Sequence, residues 1–88
     1  MKRRTKAATE VLDYQEDWSD WLGSDTISSS AWAVATGATA DSDSNTTTTA
    51  TVFVSGGTLG TNYVCTNTIG TAGARTGVRS FLLAMRSL

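Results

Sequence analysis

Eighty-eight residues, 40% of them hydrophobic, with a net charge of −1, fit one small domain. A chain this short is marginal unless something staples it, yet one Cys and no His allow neither an internal disulfide nor a zinc site. The missing His also removes Ser-His-Asp and Cys-His catalysis, no nucleotide-phosphate motif is present, and the apolar run Phe81–Met85 is far below the ~18 residues that span a bilayer. Neither an enzyme nor a cofactor is expected.

Four of the seven basic residues, Lys2, Arg3, Arg4 and Lys6, fall in the first six positions. Residues 1–9 are expected as an extended basic N-terminal arm, ahead of one domain over 10–88. Such an arm is either a solvated terminus or a grip on nucleic acid or an acidic protein surface. No apolar h-region follows Met1-Lys2-Arg3-Arg4, so synthesis and retention in a cytoplasm is the expectation.

Six of the eight acids, Glu10, Asp13, Glu16, Asp17, Asp20 and Asp25, follow at once. An acidic stretch beside a basic one suggests head-to-tail docking between copies. Within it, Asp17 to Gly23 reads as a single helical turn ended by Gly23. Trp18, Trp21 and Leu22 at i, i+3 and i+4 would share a face. That face either lids one end of the core or leaves a Trp as an interface anchor.

From 26 to 74 the only charges are Asp41 and Asp43, and Ser and Thr together number 26 in the whole chain. That composition is poor for helices and suits a pleated surface. A strand is expected from Ile27 to Val34, with Trp32 and Val34 on one face and Gly37 beyond its end. Asp41-Ser42-Asp43-Ser44-Asn45 has the first ligand positions of a calcium loop. It lacks Gly at the sixth place and Glu at the twelfth, so it reads as a solvated polar loop. Asn45-Thr46-Thr47 matches a glycosylation acceptor, which carries little weight without a secretory signal.

Alternation is clear in Thr48-Ala50-Val52-Val54 against Thr49, Thr51 and Phe53. It recurs in Tyr63-Cys65-Asn67-Ile69 against Val64, Thr66 and Thr68, and in Phe81-Leu83-Met85 against Ser80, Leu82 and Ala84. Glycines between the runs mark turns. The segment 46–55, rich in Thr and poor in charge, is a candidate edge strand for strand addition by a partner. Tyr63-Val64-Cys65 has the spacing of the tyrosine corner of immunoglobulin-like sandwiches, with Trp32 as the packing Trp. Cys65 itself reads as a buried small hydrophobe. Arg75 and Arg79, four apart, share a face; they pair either with Asp13 or Asp17 of the same chain or with the acidic segment of a neighbouring copy. The expected fold is all-β: a small antiparallel immunoglobulin-like sandwich of about six or seven strands.

Val11-Leu12-Asp13-Tyr14, Asp17-Trp18-Ser19-Asp20-Trp21-Leu22 and Asp25-Thr26-Ile27 resemble the opening of small virion proteins of tailed bacteriophages. Asp41-Ser42, Thr49 to Thr58, Gly60-Thr61-Asn62-Tyr63, Thr71 to Thr76 and Arg79-Ser80 fit the same pattern. Over residues 10–86 the chain resembles the phage fibre–tail adaptor group, whose fold is an immunoglobulin-like β-sandwich. The resemblance implies a structural protein of the neck or tail that attaches fibres or links tail components, present in many copies. It implies location in the virion after synthesis in the bacterial host cytoplasm. The implied partners are portal, adaptor, tail-tube or nozzle proteins, fibres and further copies of itself, with no membrane. No catalytic residue is carried over. Cys65 and the basic arm depart from the pattern.

Partner contacts are expected at Lys2, Arg3, Arg4, Lys6, Glu16, Asp17, Trp18, Asp20, Trp21, Arg75 and Arg79. The alternatives are a capsid cement or decoration protein, a carbohydrate-binding or adhesin module using Trp18, Trp21 and Trp32, and a nucleic-acid binder using residues 2–6.

Overall fold

A computed structural model describes residues 2–7 and 9–85. The described residues form seven strands and one short helix: β1 (Lys2–Lys6), β2 (Leu12–Asp17), α1 (Ser19–Leu22), β3 (Ile27–Val34), β4 (Ala38–Asn45), β5 (Thr49–Gly56), β6 (Asn62–Thr71) and β7 (Thr76–Met85). They make two sheets, β1-β7-β6-β3 and β2-β5-β4.

The period-2 pattern decides which faces meet. Ala50, Val52 and Val54 of β5 and Tyr63, Cys65, Asn67, Ile69 and Thr71 of β6 are all buried, whereas Phe53 and Val64 between them are exposed. Tyr14, Val52 and Val54 from one sheet pack with Tyr63, Cys65, Phe81, Leu83 and Met85 from the other. A second cluster, Trp18, Leu22, Ile27, Ala50 and Ile69, continues the core toward α1. The architecture is thus an all-β sandwich closed at one end by a helical turn.

Three segments depart from the sequence-based expectations. Residues 2–6, expected as an arm, are extended but run along β7 in parallel, with Lys2 opposite Phe81 and Lys6 opposite Met85. The sheets are therefore not purely antiparallel. Lys6 and Ala7 are buried there, which ties the start of the chain to the sandwich. Asp41–Asn45, expected as a loop, belongs to β4, which pairs with β5 through a register shift between Ala40 and Ser42. Asp, Ser and Asn have low strand propensity, but a ladder of backbone bonds on an exposed edge places little demand on side chains. Finally, 46–55 is not an edge: β5 is central, bonded to β2 on one side and β4 on the other. Its Thr-rich face is one side of a sheet, not an open flank.

Candidate interaction surfaces

The segment around α1 is built from local signals. Asp17 Oδ1 accepts the Ser19 N–H at 2.9 Å and Trp18 O accepts the Leu22 N–H at 2.9 Å. Gly23 then ends the turn at φ 62°, a left-handed conformation in which other residues are strained. The turn drops Trp18 and Leu22 into the core and leaves Trp21 half-buried.

The two indoles meet edge to face with centroids 5.3 Å apart. Each carries a guanidinium on its ring: Arg79 lies 4.3 Å from the Trp18 centroid and Arg75 4.4 Å from that of Trp21. Cation–π attraction of this kind contributes about 0.5–2 kcal/mol per pair. Arg79 Nη1 also donates to Glu16 Oε2 and to the Asp17 carbonyl, both at 3.0 Å. Arg75 donates to Asp25 Oδ2 at 3.1 Å and to the Leu22 carbonyl at 2.9 Å. Between the arginines, Gly77 is a requirement of space: a Cβ there would stand 2.7 Å from Trp18 Cζ3.

The polar atoms of this cluster are satisfied. Trp18 Nε1 donates to Asn67 Oδ1 at 2.9 Å, and Asn67 Nδ2 donates to Ser30 Oγ and the Ala31 carbonyl at 3.0 Å. Asp25 is held well below the usual carboxylate range, at about 2, by the Thr71 hydroxyl first, then by the backbone N–H of Thr26 and by further contacts with Gly73 and Arg75. The arrangement is a clamp that fixes α1 onto β6 and β7.

The expected contact residues therefore divide. Glu16, Asp17, Trp18, Trp21, Arg75 and Arg79 are brought together in the clamp, with Asp20 exposed on α1. Arg75 and Arg79 pair within the chain, but with Asp25 and Glu16 rather than Asp13 or the Asp17 carboxylate. Glu16, expected as a contact for a partner, was not anticipated as the internal partner of Arg79, because its strand, β2, was not; alternation along β2 turns Tyr14 and Glu16 inward and Asp13, Gln15 and Asp17 outward. Of the basic group, Lys6 is buried with Nζ donating to the Ala7 carbonyl at 2.7 Å. Arg3 and Arg4 are exposed on β1, and the Lys2 side chain lies outside the described residues.

What remains open is at the flanks and on the outer faces. The four-stranded sheet ends in β1 and β3 and the three-stranded sheet in β2 and β4. Tyr14 Oη donates to the Thr5 carbonyl at 3.0 Å, tying β2 to β1, while β3 packs beside β4. The sandwich thus has a β1/β2 flank and a β3/β4 flank. On the outer face of the larger sheet, exposed Val64 stands opposite Leu82 and exposed Val78 opposite Thr68.

Comparison with the curated proteins finds no match. A family model described as "Podophage GP4 fiber-tail adaptor protein gp77" matches residues 6–84. That span takes in the clamp and strands β2 to β6 whole, β7 up to Ala84 and only the last residue of β1, and the chain belongs to this podophage fibre–tail adaptor family.

Proposed function

We propose that the chain is a non-enzymatic structural protein of the podophage virion that sits at the neck or tail and attaches fibres or links tail components. The observation that carries the reading is the family match over residues 6–84. The architecture is consistent with it: a rigid body whose aromatic and charged groups are largely spent on internal fixation, with strand edges left at both flanks. Its partners on this reading are fibres, neighbouring tail or portal-proximal proteins and further copies of itself, and its synthesis is in the host cytoplasm.

The sandwich is, on the same proposal, of the immunoglobulin-like kind. Support comes from the order β2-β5-β4 against β7-β6-β3. Tyr63, at the start of β6 and two residues before buried Cys65, accepts the Thr58 N–H at 2.8 Å through its hydroxyl, as a tyrosine corner does. Trp32 of β3 packs edge-on against Phe81, with centroids 6.0 Å apart. Residues 2–6 stand as an accessory strand on this body.

The test is genetic and structural. Particles assembled without this chain are expected to lack fibres while retaining filled heads, and mass spectrometry of wild-type particles is expected to detect it. Particles that carry a full set of fibres in its absence would overturn the reading. Copies spread over the head shell would favour the cement alternative.

A further inference from the structure

We propose that the open edge of β3 takes an added strand: an extended segment of another virion protein, free of acidic side chains, pairs backbone to backbone with Ser29–Val34 and seats one inward residue beside Trp32. The proposal rests on the adaptor reading for its setting and deepens it, naming the edge that holds a partner and the chemistry of the segment held.

Three of the four edges carry the guards that keep sheets from pairing. β1 holds four basic residues, β2 three acids, and β4 two acids and a bulge after Ala40. β3 is different. After a register shift near Ser28, its stretch Ser29–Val34 runs regularly along β6 and contains no charged residue, and the chain has no Pro. Ala35 N donates to the Val64 carbonyl, so by the alternation of an antiparallel ladder Ser30, Trp32 and Val34 direct their backbone N–H and C=O away from β6. This edge offers a backbone template.

The same strand holds an unmet donor. Among the described residues, Trp32 Nε1 is the buried side-chain polar atom with no hydrogen-bond partner. An indole N–H can only donate, and a buried donor left unpaired is costly; Trp18 Nε1 shows the satisfied case, with its acceptor on Asn67. Trp32 is half-buried at the margin of the core, opposite Asn67 in the register and so turned inward. No strand lies beyond β3. An added strand lays its own inward side chains beside this ring at cross-strand distance, and an amide or hydroxyl oxygen there is the acceptor that the indole lacks.

Charge selects the occupant. β4 packs beside β3, and its Asp43, opposite buried Val52 in the register, lies on the inward side of β4 and is exposed. A carboxylate on the incoming segment is repelled here, and a Lys or Arg is attracted. A second copy fits poorly from either flank. Its β3/β4 flank sets Asp41 and Asp43 against their own counterparts, and its β1/β2 flank brings the exposed Asp13 and Asp17 of β2 against them. An extended segment with no acidic sheet behind it meets neither repulsion.

The test titrates overlapping peptides that tile the fibre and tail proteins of the same phage into the whole, isotope-labelled chain. A peptide without acidic residues is expected to bind, to slow amide exchange at Ser30, Trp32 and Val34 at least about tenfold, and to move the indole N–H resonance of Trp32 but not that of Trp18. Trp32→Phe keeps the ring and the edge but removes the donor, and is expected to weaken binding about fivefold. Ser30→Pro removes an outward N–H that the β6 ladder does not use and is expected to weaken it at least about tenfold. That variant also loses the Ser30 acceptor of Asn67, so thermal unfolding establishes that it is folded, and the exchange data on the wild-type chain stand without it. No binding by any peptide, protection at another edge, equal binding of acidic peptides, or slowed exchange at Ser30, Trp32 and Val34 from raised chain concentration alone would each overturn the proposal. The adaptor reading is tested apart from this: particles fully fibred without the chain sink that reading, whereas fibreless particles with no peptide on β3 sink this site alone.

Discussion

Asn67 is the polar residue on which the Trp18 end of the core depends. It is fully buried, its carbonyl oxygen takes the indole N–H of Trp18, and its amide feeds Ser30 and Ala31. Asn67→Ala would leave that indole donor buried and unpaired, a loss of about 2–3 kcal/mol. The expected result is a lower denaturant midpoint at unchanged slope. Asp25 makes a pH-dependent contribution whose sign follows from its depressed pKa. In the folded chain the carboxylate stays ionised down to about 2, against an ordinary 3.8. Between those values the folded state binds fewer protons than the unfolded one, so acid favours unfolding. Its contribution is complete above about pH 4 and is lost as pH falls through 2. Asp25→Asn is expected to flatten this part of the pH–stability curve in thermal melts. Cys65 shows the opposite direction: burial pushes its thiol up to about 11, consistent with a packing role.

Gly77 shows how one position on β7 serves another element. It lies between the two arginine contacts, and α1 docks over it so closely that a Cβ would meet Trp18 Cζ3 at 2.7 Å and Trp21 Cη2 at 3.1 Å. Gly77→Ala is expected to cost about 1–3 kcal/mol by overpacking, seen as a lower Tm and a disturbed near-ultraviolet Trp spectrum. An unchanged spectrum would place α1 elsewhere. The strands β3, β5, β6 and β7 and the single turn at α1 were legible because each buries alternate or i, i+3, i+4 apolar residues. β2 and β4 were not. In β2 the inward positions are Leu12, Tyr14 and Glu16, and an inward carboxylate reads as solvent-facing until Arg79 is seen across the sandwich. In β4 nearly every residue is exposed, so no apolar period exists to be read.

For the molecule as a whole, the sharpest question is what residues 2–6 contribute. As a solvated arm they could be removed at little cost. As β1 they cover the edge of β7, bury Lys6 and Ala7, and give Tyr14 Oη its acceptor at Thr5. Deletion of residues 2–6 is expected to lower stability by on the order of 2–4 kcal/mol, a large share of the ~5–10 kcal/mol available to a domain of this size. Equal unfolding curves for the full and shortened chains would restore the arm and make 10–88 the whole domain. The same strand sets basic residues at one side of the larger sheet and leaves β3 at the other.

The all-β class, the inward faces of four strands, the capped turn and the family resemblance could be read from the order of the residues, because alternation and turn chemistry are local. Whether Arg75 and Arg79 face a neighbour or their own chain could not. That depended on β2 and α1 arriving over β7 from the other sheet, at sequence separations of 50 to 63. Which strands are edges was likewise hidden, because hydrogen-bond partners across a sheet leave no trace in the side-chain pattern of either strand alone.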